Sequence, residues 1–369
     1  MDSARSGQSG VALYTVDTGP SEHERVVHQI IGRKIAALLG TAFLGDYDPA
    51  RHRGCYLIPD ETLVGEHCCR QLGIHGVDDF YGGAIAQPFM STKAITHPLF
   101  ERPTRVPPGW SEDFAQQAAS AILGGYTVFD QGDAQRAGES LLQQGPIRMK
   151  PVRGKAGRGQ EVIEDRQQLL ACIAEQDADE VATWGLVVEE NLTEVVTFSV
   201  GQLQVAGITA SYYGTQRLTR DNTGTEVYGG SELVVVRGDY AELGQLRMSP
   251  QAGRAVEQAQ VYEQAAIACF GLLASRRNYD VAQGIDALGQ SRSGVLEQSW
   301  RVGGASAAEI FALEAFSIDE TLQCVRASTY ETYGEGAPPD DAIPLYSGDE
   351  PGLGILSKYV KVEAYASPQ

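Results

Sequence analysis

The stretch GPIRMKPVRGKAGRGQEVI (residues 145–163) constrains the fold most, because it puts a glycine-rich loop between two predicted strands. The loop glycines, Gly154, Gly157 and Gly159, are spaced G-x-x-G-x-G. A P-loop requires G-x-x-x-x-G-K-[ST], and the dinucleotide fingerprint G-x-G-x-x-G opens a helix. The loop matches neither motif and belongs to a strand–loop–strand unit.

Three cations accompany these glycines: Lys150 at the end of the first strand, and Lys155 and Arg158 within the loop. Glycine lets backbone N–H groups approach phosphate oxygens closely, and cations neutralise the phosphate charge. The segment therefore suggests an anion site. A flexible hairpin loop whose cations only aid solubility is the alternative, and the loop by itself leaves both interpretations open.

The overall charge narrows the choice of partner. The chain has 369 residues, enough for two domains, with 29 Lys and Arg against 48 Asp and Glu, for a net charge of -19. Such a chain repels polyanions, so nucleic acids and anionic membranes are not expected partners. Any phosphate must therefore bind in a locally basic pocket within a negative envelope.

The cysteine spacing and the N-terminal sequence bear on the cellular compartment of the protein. The six cysteines form no C-x-x-C pair, so neither a disulfide framework nor a zinc site is expected. The first ten residues lack the apolar core of a signal peptide, and no run approaches the roughly 18 apolar residues of a membrane span. We expect a cytoplasmic protein with no membrane partner.

Alternating helical and strand patterns indicate an α/β organisation. EHERVVHQIIGRKIAALLG (22–40) has helical periodicity, and 184–192 and 196–214 read as strands. A proline-rich passage over 97–110 resembles a linker. The predicted organisation is a flexible tail over 1–10, a small N-terminal α/β unit over 11–95, a larger domain over 96–320 and a turn-rich C-terminal extension over 321–369.

The segment GIDALGQSRSGVLEQSWRVGGAS (284–306) suggests a second chemical feature. Asp286 and Glu297 would share one side of a hairpin if the chain turns at GQSRSG, with Ser299 and Arg301 on the face of Glu297. Two carboxylates beside a cationic phosphate site suit Mg²⁺, which takes oxygen ligands and bridges to substrate phosphates. The alternative is a hairpin with ordinary surface acids.

In order and spacing, Lys150, the glycine loop, LVVEENL (186–192) and LEQSWRVGGAS (296–306) resemble the ATP-grasp superfamily over roughly residues 90–310. The chain also resembles a bacterial group of ATP-grasp-like proteins of unassigned function. This resemblance implies an α/β (α+β) ATP-grasp fold with a small N-terminal α/β unit, and ATP and Mg²⁺ as cofactors. The family usually has E-x-N where this chain has Glu297 and Ser299.

The same resemblance implies a set of site residues. The nucleotide contacts it implies are Lys93, Lys150, Gly154, Gly157, Arg158, Gly159, Glu189, Glu190 and Leu192. The metal ligands it implies are Asp286, Glu297 and Ser299. Arg301 would face the γ-phosphate or an acyl intermediate, and Lys155 would also take part in catalysis.

The implied activity is ligation of a small-molecule carboxylate to an amine or similar nucleophile through an acyl phosphate. Two alternatives remain open from the sequence. One is an ATP-dependent kinase of a small molecule, and the other is a nucleotide-binding regulatory or scaffold protein whose catalytic set has decayed at Ser299. The acid, the nucleophile and the oligomeric state are not specified by the sequence.

Overall fold

A computed structural model describes residues 8–16, 20–154 and 159–365. Lys155, Gly157 and Arg158 of the glycine loop lie outside the described residues, as do residues 1–7 of the predicted tail. The strands are β1 (Val11–Tyr14), β2 (Phe43–Asp46), β3 (Tyr56–Pro59), β4 (Leu63–Val64), β5 (Gly83–Ile85), β6 (Gly125–Val128), β7 (Ile147–Pro151), β8 (Glu161–Ile163), β9 (Leu186–Glu190), β10 (Thr193–Val205), β11 (Ile208–Arg220), β12 (Glu226–Arg237), β13 (Leu273–Ala274), β14 (Arg276–Ile285), β15 (Ser291–Ser299), β16 (Cys324–Tyr333), β17 (Ile343–Glu350) and β18 (Gly354–Ala364). The α-helices are α1 (Glu22–Leu38), α2 (Glu66–Leu72), α3 (Glu112–Gln117), α4 (Gln131–Leu141), α5 (Arg166–Glu175), α6 (Ala178–Trp184), α7 (Tyr240–Leu243), α8 (Pro250–Phe270) and α9 (Ser306–Ile318).

The N-terminal part of the chain is built on a parallel sheet in the order β2-β1-β3, on which α1 packs. Ile31 and Ile35 lie one helical turn apart on α1, and both are fully buried. The helix ends just before Gly40, whose φ of +67° is a left-handed conformation that glycine adopts readily. The helix predicted over 22–40 is confirmed.

The glycine loop belongs to an antiparallel sheet in the order β6-β9-β7-β8. Strands β7 and β8 pair antiparallel, with Ile147 opposite Ile163, so the loop joins two neighbouring strands. Helices α4 and α5 cover one face through a cluster that includes Ala134 and Leu169. The predicted strand–loop–strand unit is confirmed, with an edge position for β8.

An eight-stranded sheet in the order β15-β14-β10-β11-β12-β16-β18-β17 forms the centre of the molecule. Successive residues of a strand point to opposite faces. Val236 therefore packs in one core cluster with Tyr262 of α8, while its neighbour Val235 packs in another with Leu313 of α9. Helices α8 and α9 thus cover opposite faces of the sheet.

The four-stranded sheet closes against one edge of this large sheet. Val187 of β9 and Val295 of β15 belong to the same core cluster, together with Ala94 from the 3-10 turn Lys93–Ile95. We use the term cleft for the region between these two sheets. Strands β7 and β9 lie on one side of it, and β14 and β15 lie on the other.

The segment predicted as a turn-rich extension (321–369) instead contains β16, β17 and β18, which extend the large sheet. Its last strands lie beside α1, where the backbone N–H of His23 donates to Oε1 of Glu350 at 2.6 Å. The domain boundaries at residues 95 and 320 stay predictions. No helix of the described residues is long and apolar enough to cross a bilayer.

Candidate functional site

Strand β7 presents Lys150 to the cleft, because Lys150 lies directly opposite the buried Val187 of β9 and therefore shares its face. Lys150 is 3% exposed, and its Nζ forms an ion pair with Oε1 of Glu189, which is 2% exposed. Oε2 of Glu189 lies 2.9 Å from Nε2 of the fully buried His97. Both carboxylate oxygens of Glu189 are therefore partnered.

The pKa values in this group follow from that arrangement. Burial acts to raise the pKa of Glu189, but the Lys150 ammonium and the His97 ring outweigh burial and lower it to about 2. Burial lowers the pKa of Lys150, and the facing Glu189 opposes that change. The carboxylate of Glu189 is ionised at neutral pH, and it balances the lysine charge within the protein.

Lys93 reaches the opposite wall of the cleft. Its Nζ lies 2.7 Å from Oε2 of Glu297 on β15 and 3.4 Å from the carbonyl oxygen of Gly154. Lys93 is nearly buried, whereas the side chain of Glu297 is 38% exposed. Burial acts to raise the pKa of Glu297, but Lys93, Lys150 and Arg301 lower it. The structure therefore brings six predicted site residues close together: Lys93, Lys150, Gly154, Glu189, Glu297 and Arg301.

A carboxylate that the sequence did not single out faces Glu297. Asp280 on β14 is its direct partner in the antiparallel register, so the two side chains share a face. Oδ1 of Asp280 is buried and has no hydrogen-bond partner within the described part of the chain. Burial, followed by the negative charge of Glu297, raises the pKa of Asp280 to about 7. The two acids form a like-charged pair.

The expectation that Asp286 lies beside Glu297 is wrong. The predicted hairpin exists, but Asp286 starts its turn, where Oδ1 accepts the backbone N–H groups of Leu288 at 2.9 Å and Gln290 at 2.8 Å. At the rise of an extended strand, the six residues from Asp280 span about 20 Å. An aspartate that bonds the backbone two residues on favours a turn, and this one brings the turn forward to residues 286–290.

Ser299 is held by an arginine that the sequence also did not indicate. Nη1 of Arg276 donates to Oγ of Ser299 at 3.2 Å and to its carbonyl oxygen at 2.8 Å. The same guanidinium forms two hydrogen bonds with Glu309, at 3.0 and 2.7 Å. Ser299 lies two residues beyond Glu297, on the same face of β15, and its hydroxyl oxygen already accepts from a cation.

Arg301 links the segment after β15 to the bend that follows β3. Its Nε lies 3.0 Å from Oε2 of Glu61, which follows β3. Its Nη1 donates to the carbonyl oxygen of Val302 at 2.9 Å. Both ion-pair side chains are partly exposed, Arg301 at 26% and Glu61 at 35%. Arg301 is therefore accessible to solvent, and it lies close enough to Glu297 to lower the pKa of that carboxyl.

The remaining predicted contacts lie at the end of β9, just after it, and at the end of the glycine loop. Glu190 binds Arg292 through both oxygens, at 2.8 Å in the shortest contact, and accepts the N–H of Gly124 at 2.7 Å. Its side chain is thus engaged, while Leu192 is buried at 7% exposure. Gly159 has a φ of +74° at the end of the loop, a conformation that favours glycine.

The sequence carried different amounts of signal for the residues it missed. Asp280 is an acid flanked by the apolar Tyr279 and Val281 within a strand pattern, and an acid in such a place is a usable signal. His97 and Arg276 had none, because their partners Glu189 and Glu309 lie 92 and 33 residues away in the chain.

This fold and cleft define a class of protein. The structure is similar to phosphoribosylamine–glycine ligase from Thermotoga maritima, with 10% identity, coverage of 96% of this chain and 93% of that chain, and a TM-score of 0.51. It is also similar to a biotin carboxylase from Campylobacter jejuni in a β-γ-ATP complex, with 10% identity, coverage of 96% and 87%, and a TM-score of 0.50. The chain has the ATP-grasp fold, which confirms the fold that the sequence predicted.

Within that class, the chain belongs to the family described as Protein of unknown function (DUF3182), whose model matches residues 11–360. No curated protein sequence matches the chain.

Proposed function

We propose that this protein is an ATP- and Mg²⁺-dependent ligase that joins a carboxylate to an amine or similar nucleophile through an acyl phosphate. The observation that supports this most directly is the pairing of two walls across one cleft. Buried Lys150 and Lys93 supply positive charge beside the glycine loop, and Asp280 and Glu297 supply negative charge opposite. Phosphate and a divalent cation together require such a mixed set.

In this proposal Asp280 and Glu297 hold Mg²⁺. No cluster of three or more His, Cys, Asp or Glu side chains suited to a metal occurs in residues 8–16, 20–154 and 159–365. A pair of carboxylates nevertheless fits Mg²⁺, which usually takes one or two carboxylates and completes its shell with water and substrate phosphates. The buried Oδ1 of Asp280, without a partner among the described residues, is an oxygen that a cation would satisfy. The metal would neutralise phosphate charge in the cleft.

The lysines and Arg301 would bind and orient the reactants. An oxygen of the substrate carboxylate attacks the γ-phosphorus of ATP, the bond to the leaving ADP oxygen breaks, and an acyl phosphate results. The amine then attacks the acyl carbon, inorganic phosphate leaves, and the amine proton passes to solvent. Catalysis here consists mainly of positioning and charge neutralisation. Arg301, at the partly exposed end of the cleft, is suited to the transferred phosphoryl group.

Incubation with ATP, Mg²⁺ and a panel of amino acids and other small carboxylates, followed by mass spectrometry, tests this function. A ligase releases ADP and inorganic phosphate in equal amounts and forms a new amide. Phosphorylated product without free phosphate would identify a kinase. A rise in melting temperature with Mg²⁺-ATP, but no turnover with any acceptor, would favour a nucleotide-binding regulatory protein, and no rise at all would overturn nucleotide binding.

A further inference from the structure

Four segments of the chain meet at a buried ion pair next to the carboxylate pair. Arg276 of β14 and Glu309 of α9 are 1% and 0% exposed, and their side chains lie 2.7 Å apart. Glu309 also accepts the hydroxyl of Tyr212 on β11 at 2.7 Å and the hydroxyl of Tyr81 from the N-terminal part of the chain. This network fixes the guanidinium plane of Arg276, because each Glu309 oxygen that binds Arg276 also accepts a tyrosine hydroxyl.

The free edge of that guanidinium meets the backbone between β15 and α9. Nη1 donates to the carbonyl oxygen of Ser299 at 2.8 Å, to its Oγ at 3.2 Å and to the carbonyl oxygen of Arg301 at 2.7 Å. Arginine is suited to this because its planar fork presents several donors in a rigid geometry, which lysine lacks. The position of the main chain that carries Arg301 therefore depends on Arg276.

The hydrogen bond from Arg276 to Ser299 also affects which side chains can bind the metal. The oxygen of Ser299 accepts a hydrogen bond from a guanidinium, so a divalent cation bound to that oxygen would be held close to a fixed positive charge in a poorly solvated site. Asp280 and Glu297 lie further along the same face and are not bonded to Arg276 in the described residues. The hydroxyl of Ser299 is therefore engaged by Arg276, and Asp280 and Glu297 are the two side chains left to bind a metal.

We infer that Arg276 is a positioning residue that withdraws Ser299 from the metal and fixes the main chain at Arg301, so that the protein supplies two metal ligands, Asp280 and Glu297. This inference rests on the proposed function, since it assigns roles within the same cleft. It departs from the expectation that Ser299 is the third metal ligand.

Two measurements that do not require the acceptor substrate test this inference. Mn²⁺ replaces Mg²⁺, and its binding in the presence of a non-hydrolysable ATP analogue is followed by electron paramagnetic resonance. Ser299→Ala should leave the dissociation constant of Mn²⁺ within about twofold, because no ligand is lost, whereas Glu297→Gln should raise it by at least about tenfold. Equal weakening by both substitutions would overturn the assignment of Ser299.

The second measurement is the rise in melting temperature caused by ADP, Mg²⁺ and aluminium fluoride, which mimic the transferred phosphoryl group. Arg276→Lys should lose most of the rise that this complex gives beyond Mg²⁺-ADP, while the rise with Mg²⁺-ATP stays within about a quarter of the wild-type value. Arg277→Lys is the matched control, because Arg277 pairs with Glu263 at 3.0 Å on the other face of β14. Tyr81→Phe, which removes one bond to Glu309, is the milder second variant and should give a partial loss.

Full retention of the aluminium fluoride effect in both Arg276→Lys and Tyr81→Phe would overturn the positioning role. If Arg276→Lys does not fold, Tyr81→Phe and Ser299→Ala decide the question. Absence of Mn²⁺ and nucleotide binding in the wild-type protein would instead overturn the proposed function, and this inference with it. The two failures are therefore distinguished by the wild-type titration.

Discussion

The two walls of the cleft treat their buried charges in opposite ways. On the β7–β9 wall, the Glu189 carboxylate is bound by Lys150 on one oxygen and by His97 on the other, and its pKa is lowered to about 2. On the β14–β15 wall, Asp280 faces a second carboxylate, and its pKa is raised to about 7. The first wall is balanced within the protein. Of the two acids on the second wall, only Glu297 forms an ion pair in the described part of the chain, with Lys93 at 2.7 Å, so the adjacent Asp280 is the acid that a further cation would stabilise.

The difference indicates what each wall does. A compensated buried ion pair defines a fixed geometry, and removing one partner leaves an unpaired charge. An uncompensated acid costs stability without a ligand and so marks a place where a ligand binds. In the proposed function, the β7–β9 wall therefore positions Lys150, and the β14–β15 wall would receive the metal.

The largest effect on ligand binding should come from the β14–β15 wall. Asp280→Asn or Glu297→Gln removes one of the two proposed metal ligands, so the affinity for Mn²⁺ or Mg²⁺ with nucleotide should fall by about 100-fold, equivalent to about 2.7 kcal/mol. Isothermal titration of the metal into the nucleotide complex measures this.

Glu331→Gln is a suitable control. Glu331 on β16 pairs with Lys358 on β18 at 2.8 Å, and β16 is four strands away from β14 in the sheet. Wild-type metal affinity in both Asp280→Asn and Glu297→Gln would show that the β14–β15 wall is not the metal site.

The compensated wall should respond differently. Lys150→Met should abolish most of the rise in melting temperature with Mg²⁺-ATP and should also destabilise the free protein by about 3 kcal/mol, because the buried Glu189 loses its lysine partner and keeps only His97. Chemical denaturation of the free protein and thermal melts with nucleotide measure the two effects.

The double variant Lys150→Met with Glu189→Gln separates the effect on stability from the effect on nucleotide binding. It should recover much of the lost stability, since no unpaired charge remains, but not the nucleotide effect. Recovery of both would mean that Lys150 acts only as a partner of Glu189.

The stability of the protein without ligands should also depend on pH through Asp280 on the β14–β15 wall. Asp280 has a folded-state pKa of about 7 against 3.8 in the unfolded chain, so between these values the folded state binds more protons. Stability contributed by this group is therefore lost as the pH rises from about 4 to 7.

Asp280→Asn removes that loss, so the variant should be more stable than the wild type by about 2 kcal/mol at pH 8 and about equal to it at pH 4. Urea denaturation at the two pH values, without divalent cations, checks this. Addition of Mg²⁺ and nucleotide at pH 8 should reverse the order. A difference independent of pH would contradict the raised pKa.

The smallest effect should come from the acid that the sequence singled out. Asp286→Ala removes the two backbone hydrogen bonds that Asp286 accepts in the hairpin turn, so the free energy of unfolding should fall by about 1 kcal/mol. Metal affinity should stay within twofold of the wild type. A tenfold loss of metal affinity would return Asp286 to the site.

The error at Asp286 shows where sequence reasoning stops. The spacing of Asp286 and Glu297 correctly predicts two strands joined by a turn, but not which residues of the strands lie opposite each other. A bulge between Asp280 and Val281 shifts the register, and a one-residue shift reverses the face of every side chain beyond it. Asp280 became visible as the partner of Glu297 only in the paired strands.

Local features were determined by the sequence. The strand–loop–strand unit followed from strand and turn preferences, which are local properties of a chain. The ATP-grasp fold was implied by a resemblance in the order of Lys150, the glycine loop and the strands after it. Lys93 was identified by that resemblance, and Lys150 and Glu297 also by their sequence surroundings; the structure places the three near one another.

Only the tertiary structure decided how the charges are distributed among partners. His97 with Glu189, Arg276 with Ser299, and Asp280 with Glu297 are each joined across distant parts of the chain or across a strand pair. Electrostatic interactions depend on distance and burial in space and not on separation in sequence. Composition therefore revealed the charged groups, and packing determined which of them are balanced and which remain for a ligand.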